Sequence, residues 1–224
     1  MLKYQNPTKK TENEIRKLWK EYAVYLFNSM TQNTTDKNKK IKKSSWKKSD
    51  LDKLNTLINK AYTEINNKFV SRTKHIVPSL KLKEVENNEI VRKAFEKKRD
   101  EHISYFKKFP NYVSQKLNNQ LEKVTLRSRL PLAKRLILGE NMSRRHANFI
   151  AKDQLAKLSN FVSSAHAISI GSDSYIWKTM CDSRVRPEHA HRQGKKFKFS
   201  KPPFGGEPGN APGCRCSAEA IINL

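Results

Sequence analysis

Glycine and proline are distributed very unevenly along this chain of 224 residues. Gly139 is the one glycine before Gly171, whereas six of the seven glycines and five of the nine prolines lie from Gly171 onward. Both residue types interrupt helices and favour turns. The sequence therefore predicts an α+β protein: a mainly helical N-terminal region followed by a small α+β C-terminal domain with short strands and a Pro/Gly-rich loop.

Apolar spacing predicts two helices near the N-terminus. Thr11 and Glu14 have the form of a capping box, which predicts a helix over about 11–30. Its apolar positions are Ile15, Leu18, Trp19, Tyr22 and Leu26. A longer amphipathic helix is expected from Ser49. Its apolar positions are Leu51, Leu54, Leu57, Ile58, Ala61, Ile65 and Phe69.

Prolines are expected to divide the following segments. Pro78 interrupts the second helix, and a charged helix over 82–108 is expected to end at Pro110. A further helix is predicted over 111–126, then a short one from Pro131. The last helix is predicted from Met142, with Gly171 as its stop signal.

These patterns predict two domains. Residues 1–140 form a basic helical region. Residues 141–224 form the second domain, which consists of a linking helix over 141–168 and a compact strand and loop part over 171–224. Within this part, the Pro/Gly-rich residues 198–213 are expected to form an irregular loop that brings the chain end back onto the preceding strand.

The net charge of +25 attracts polyanions, and nucleic acid is the first candidate partner. Residues 171–224 carry only +4 of this charge, so most of the basic residues lie in the helical region. A polar stretch between the first two helices is predicted to be a basic loop that neutralises DNA phosphates, and its tryptophan could stack on a base or anchor the loop to the core. The predicted DNA-binding residues are Lys37, Lys39, Lys40, Lys42, Lys43, Trp46, Lys47 and Lys48.

Three cysteines, Cys181, Cys214 and Cys216, lie in the last 44 residues. The N-terminal sequence has no apolar segment typical of a secretory signal, and no stretch approaches the roughly 18 apolar residues of a membrane span. We therefore expect a soluble protein made in a reducing cytoplasm, with no membrane partner. Disulfides are not expected there.

The segment CDSRVRPEHAH, residues 181–191, concentrates polar chemistry in a few positions. If the overlapping segment SYIWKTMCDSRVR, residues 174–186, is extended, Tyr175, Trp177, Thr179 and Cys181 share one face. Asp182, Arg184 and Arg186 then share the other. Two interpretations remain open: an internal ion-pair framework, or a site in which the arginines hold an external anion such as phosphate.

Cysteine and histidine in the same region raise the question of a metal. Thiolate and imidazole are the ligands that zinc prefers, and the CRC sequence could present two sulfurs to one ion. The candidate ligands are Cys181, His189, Cys214 and Cys216, with His191 as a substitute. The alternative is a packed pair of cysteines beside a hydrogen-bonded histidine, without metal; zinc is therefore a candidate cofactor and no cofactor is certain.

Catalysis is not expected. A histidine near acidic residues and a thiol, as at His189, is a combination of residue types also found in nucleases and cysteine hydrolases. The sequence nevertheless offers neither a Gly-rich oxyanion turn nor a carboxylate cluster for magnesium. We therefore expect the protein not to be an enzyme.

Several motifs taken together resemble a known family. The segments are RRHANFIAKDQLAKL, then YIWKTMCDSRVRPEH, then GKKFKF, a Pro/Gly loop and the terminal GCRCSAEAII. In this order they resemble the phage head morphogenesis family, the Mu F-like minor head proteins. The resemblance covers about residues 140–224 and says little about the preceding region.

The resemblance implies a virion structural protein, a minor capsid protein present in multiple copies and associated with the portal inside the head. It also implies a role in head assembly and contact with the packaged double-stranded DNA, after synthesis in the host bacterial cytoplasm. The positions that match the family motif are Trp177, Thr179, Asp182, Arg184, Val185, Arg186, His189, Gly194, Cys214, Arg215 and Cys216. The predicted structural framework consists of Trp177, Thr179, Asp182, Arg184, Arg186, His189, Gly194 and Arg215. Many members carry a histidine shortly before the CRC, and this chain has none there.

Two other functions stay open as alternatives. One is a metal-dependent nuclease that uses His189 and Asp182. The other is a host-directed DNA-binding regulator that acts outside the virion.

Overall fold

The computed structural model describes residues 3, 5–31, 46–76, 88–122 and 132–222, and it confirms the predicted fold class. Within these ranges, four long helices precede a small sheet with one short helix. The elements are α1 (Lys9–Thr31), α2 (Lys48–Ile76), α3 (Glu89–Glu122), α4 (Leu132–Ser169), β1 (Ser174–Lys178), α5 (Pro187–Ala190), β2 (Lys196–Lys198) and β3 (Ser217–Ile221). None of the helices in the described ranges combines the length and apolar character that crossing a bilayer requires.

The structure confirms the first two helices that the apolar spacing predicted. In α1 all five predicted apolar positions are buried, and in α2 the positions from Leu54 to Phe69 are buried except Leu57, which is partly exposed. The predicted capping box is wrong, because α1 begins at Lys9 and Thr11 lies inside its first turn. The Thr8 hydroxyl accepts from the Thr11 N–H at 3.3 Å and therefore caps this end.

α3 runs through Pro110, so the expectation that this proline separates two helices is wrong. A proline inside a helix removes one hydrogen bond and costs about 3 kcal/mol. The apolar side chains around it lie on one buried face, and each such side chain contributes about 1.5–3 kcal/mol when buried. Their sum exceeds the cost; these residues are Phe106, Phe109, Val113 and Leu117.

α4 is a single helix, where the sequence predicted a short helix from Pro131 and a separate one from Met142. Gly139 lies inside it, at a point where neighbouring side chains approach the backbone closely. A Cβ at this position would lie 3.1 Å from Leu117 Cδ2 and 3.5 Å from Phe27 Cε2. This glycine therefore permits close packing and does not end the helix.

Gly171 ends α4 as predicted. Its φ of 89° lies in the left-handed region, which glycine adopts without strain. The Gly171 N–H donates to the Ile168 carbonyl and the Ser172 N–H donates to the Ala167 carbonyl, both at 3.0 Å. This is a Schellman motif, and it turns the chain into β1.

The sheet is antiparallel, with β1 between β2 and β3. Tyr175 and Trp177 on β1 are buried on one face of the sheet. On the neighbouring strand β3, Ala220 lies opposite Tyr175 and Ala218 lies opposite Trp177. The small alanines leave room for the two large rings. The predicted extended segment is longer than the observed strand, because β1 ends at Lys178 and Cys181 has a φ of 52°. Cys181 consequently does not share a strand face with Trp177.

The described chain divides into two compact units. The unit that contains the sheet comprises Met1–Glu12, Ile58–Asp100 and Lys152–Leu224, and in it Phe69 stacks on the buried His166 ring at 4.5 Å. The other comprises Asn13–Leu57 and Glu101–Ala151, and its core has Trp19 packed edge-on against Phe106 and Phe109. The domain boundary at residue 140 stays a prediction.

Candidate functional site

A histidine and two cysteines come together at the end of the small sheet. His189 lies on α5, whose first residue Pro187 fits the fixed φ of a helix start. Cys214 and Cys216 immediately precede β3. All three side chains are buried, with 4 to 7% exposure. The Pro/Gly-rich segment between β2 and β3 thus returns the chain end to β1, as predicted, and also brings the two cysteines to His189 on α5.

The three side chains contact one another through their polar atoms. His189 Nδ1 lies 3.5 Å from Cys214 Sγ and 3.5 Å from Cys216 Sγ. One ligand atom from each residue lies within 4.8 Å of both others. Trp177 packs its ring edge-on against His189 at 5.3 Å, so the imidazole is held between an indole and two sulfurs.

The two thiols differ in acidity because a hydrogen bond joins them. Their hydrogen bond lowers the pKa of Cys214 and raises the pKa of Cys216. Burial opposes ionisation at both sulfurs. The backbone N–H groups of Cys216 and Gly209 point at Cys214 Sγ and further lower its pKa. Cys214 is therefore the thiol that ionises first.

Asp182 forms an ion pair with Arg215, the residue between the two cysteines. Arg215 donates to both carboxylate oxygens, at 2.8 and 2.5 Å. Arg184 also donates to Asp182, from its backbone N–H at 3.2 Å and from its guanidinium at 3.4 Å. Mainly because of the Arg215 bonds, the pKa of Asp182 is lowered to about 2. Both oxygens of this carboxylate are thus engaged in holding the turn against the CRC segment.

The other predicted framework residues hold neighbouring segments. Arg186 does not join the ion pair; it donates to the Pro212 carbonyl at 2.7 Å. Thr179 donates from its hydroxyl and its N–H to Gln193 Oε1, at 2.9 and 2.7 Å. The Gly194 N–H donates to the Trp177 carbonyl at 2.8 Å.

Two of the candidate metal ligands lie outside the cluster. Cys181 is exposed, and its sulfur lies 3.5 Å from the Thr179 hydroxyl. His191 is exposed directly after α5. Within the described residues, the group of metal-ligating atoms consists of His189, Cys214 and Cys216.

Sequence reasoning missed the contribution of Asp153 on α4. This buried carboxylate accepts from the Gly213 N–H at 2.6 Å and pairs with Lys157 Nζ at 2.8 Å. It thereby fixes the residue just before Cys214. Asp153 belongs to the AKDQ part of the quoted motif. The motif was therefore a signal for this residue, but residue spacing alone could not show that it contacts the segment before Cys214.

A small cavity of about 20 Å³ opens onto the cluster. A cavity of this size holds about one water molecule. Its lining includes three arginines, of which Arg184 and Arg215 pair with Asp182. The lining residues are Met180, Arg184, Val185, Arg186, His189, Gly213, Cys214, Arg215 and Cys216.

The predicted DNA-binding loop falls mainly outside the described residues, which resume at Trp46. Lys37, Lys39, Lys40, Lys42 and Lys43 all lie outside them. Lys107 Nζ lies 5.4 Å from the Trp46 ring centre, and Lys47 Nζ lies 3.9 Å from the Tyr25 ring centre. Lys48 is the first residue of α2.

Comparison with known proteins gives one family. Residues 113–219 match the model of the family described as Phage Mu protein F like protein. A curated protein of Haemophilus influenzae, named "Uncharacterized protein", is 34% identical over 87 residues, which cover 38% of this chain and 19% of that protein. The chain thus spans about a fifth of this relative's length. No solved structure matches.

Proposed function

We propose that the chain is a minor head protein associated with the portal, because residues 113–219 match the Phage Mu protein F like family, a family of phage head morphogenesis proteins. In this role it assists head assembly inside the capsid and contacts the packaged DNA. The family match is the observation that carries the proposal. It confirms the resemblance seen in the sequence and extends it back into α3.

Exposed lysines on the sheet support a DNA contact. β2 is an edge strand, and lysines on it and beside it are all exposed: Lys195, Lys196, Lys198 and Lys201. Such a row can neutralise phosphates on a DNA backbone. Edge lysines also prevent a strand from pairing with other chains, so DNA binding must be measured to separate the two roles.

An exposed aromatic side chain supports a contact with another head protein. Phe204 is 97% exposed. It lies in a turn closed by the Gly206 N–H donating to the Pro203 carbonyl at 2.9 Å. Arg192 donates to the Phe204 carbonyl at 2.8 Å and fixes the turn from outside. A turn whose backbone is already fixed needs little backbone ordering on association, and aromatic residues often dominate interface energy.

The proposal is tested on particles of the phage that encodes the chain. Mass spectrometry should find the protein in purified heads and, after mild disruption, in fractions with the portal. Phe204→Ala should fold normally and yet be depleted from heads. The matched control is Phe149→Ala, which removes a ring that is 44% exposed on α4 and should be incorporated normally.

The result that contradicts the proposal is equally specific. If purified particles lack the protein while infected cells contain it, a DNA-binding regulator outside the virion is favoured. If the wild type is present and Phe204→Ala is incorporated equally, the head assignment stands and the role of Phe204 is wrong.

A further inference from the structure

We propose that His189, Cys214 and Cys216 bind one Zn²⁺ ion, with a water molecule in the adjacent cavity as the fourth ligand. Two thiolates and one imidazole form a donor set that zinc prefers. The proposal does not rest on the head function, since it follows from these side chains alone.

The spacing of the three ligand atoms fits a tetrahedral ion. With Zn–S bonds of about 2.3 Å and a Zn–N bond of about 2.0 Å, tetrahedral angles separate nitrogen from sulfur by about 3.5 Å. In the structure, His189 Nδ1 lies 3.5 Å from each sulfur. One ion could therefore bond all three atoms with small movements of the side chains.

Backbone groups approach Cys214 Sγ closely. The N–H groups of Cys216 and Gly209 point at this sulfur. Groups that donate to ligand atoms orient them and are a usual part of metal sites. Gly209 has a φ of 85°, and a Cβ there would collide with the Asn160 side chain, so this approach requires glycine.

The fourth position follows from the cavity. Its volume of about 20 Å³ admits a single water molecule beside the three ligands. Cys181 and His191, the other residues considered from sequence, lie outside the cluster. The ion would thus join α5 to the segment before β3, across 25 and 27 residues of chain, and would act as a structural clasp.

The test uses the full chain purified without added metal. Elemental mass spectrometry should find about one zinc per chain. The Cys214→Ser/Cys216→Ser variant should lose it, whereas Cys181→Ser and His191→Asn should retain it as matched controls. Zinc retained by the double variant, or lost from Cys181→Ser, would overturn this ligand set.

A second measurement covers the case in which the double variant does not fold. The wild type is stripped with a chelator, checked by circular dichroism and titrated with Co²⁺. Thiolate-to-cobalt charge transfer, tetrahedral d–d bands and proton release are expected on binding. A folded, stripped wild type that gives no such spectrum would refute the proposal and leave a hydrogen-bonded thiol pair.

Discussion

Arg215 donates two hydrogen bonds to the Asp182 carboxylate from the position between the two buried cysteines. Because the side chains of Cys214 and Cys216 face inward, Arg215 is the outward residue of the CRC sequence. Arg215 thereby joins the CRC segment to the polar turn at residues 182–186 on the exposed side. On the buried side, His189 contacts the two cysteines of the same segment.

Arg215→Lys is expected to loosen the CRC segment with little change in overall stability. An ammonium group cannot reproduce the two parallel bonds of a guanidinium, and the pair is too exposed to contribute much to unfolding. Hydrogen exchange should accelerate at the amides of residues 213–217. Arg99→Lys, which alters an exposed pair with Asp100, is the control and should leave these amides unchanged. Unchanged exchange in Arg215→Lys would show that the bridge does not hold the segment.

Asp153→Ala is expected to destabilise the unit that contains the sheet by about 3 kcal/mol. The change leaves the largely buried Lys157 ammonium and the Gly213 N–H without this acceptor. Urea unfolding followed by circular dichroism measures the loss. Asp153→Asn keeps an acceptor oxygen but removes the charge, so its loss should be intermediate. Equal stability of Asp153→Ala and the wild type would contradict this role.

His166 is expected to make the fold sensitive to mild acid. Burial lowers its pKa from an ordinary 6.5 to about 4, and neither ring nitrogen has a hydrogen-bond partner among the described residues. His166 therefore binds a proton more readily in the unfolded chain than in the folded chain. The stability associated with neutral His166 is fully present above about pH 6.5. It is lost as the pH falls towards 4, and the total loss is of the order of 3 kcal/mol.

His166→Phe tests this pH dependence. The apolar ring preserves stacking on Phe69 but cannot be protonated, so the melting temperature should fall less between about pH 6.5 and 4 than in the wild type. The control is His75→Phe, an exposed position on α2, which should leave the wild-type slope unchanged. Parallel slopes for His166→Phe and the wild type would rule out this histidine as the source.

Lysines on the edge strand are expected to contribute to DNA affinity. The triple variant Lys195→Gln, Lys196→Gln and Lys198→Gln should bind duplex DNA more weakly. The slope of log affinity against log salt should become shallower by about 0.9 for each phosphate that the variant no longer neutralises.

The matched control removes the same number of charges from lysines that pair with a carboxylate one turn away. These are Lys9 with Glu12, Lys17 with Glu21 and Lys93 with Glu89. If both triple variants bind DNA with equally reduced affinity, the contribution is overall charge and the edge strand has no particular role.

Much of the fold and part of the site could be predicted from the sequence. The apolar spacing of α1 and α2 and the glycine stop at Gly171 are local patterns, and all were confirmed. Two predictions were wrong, that Pro110 separates two helices and that a separate helix begins at Met142, because local rules cannot weigh the burial of the surrounding residues. At Pro110 the buried face outweighs a missing hydrogen bond, and at Gly139 a close approach of side chains favours glycine within the helix.

The sequence by itself determined which residue types were available for the site: a histidine, two cysteines in a CRC segment and a cluster of arginines with one aspartate. Tertiary structure decided which of them meet. The turn after β1 directs Cys181 outward, α5 orients His189 towards the two sulfurs, and Asp153 on α4 holds Gly213 in place. The contacts of His189 and of Asp153 join residues 25 to 60 positions apart, and their formation depends on how the whole chain packs.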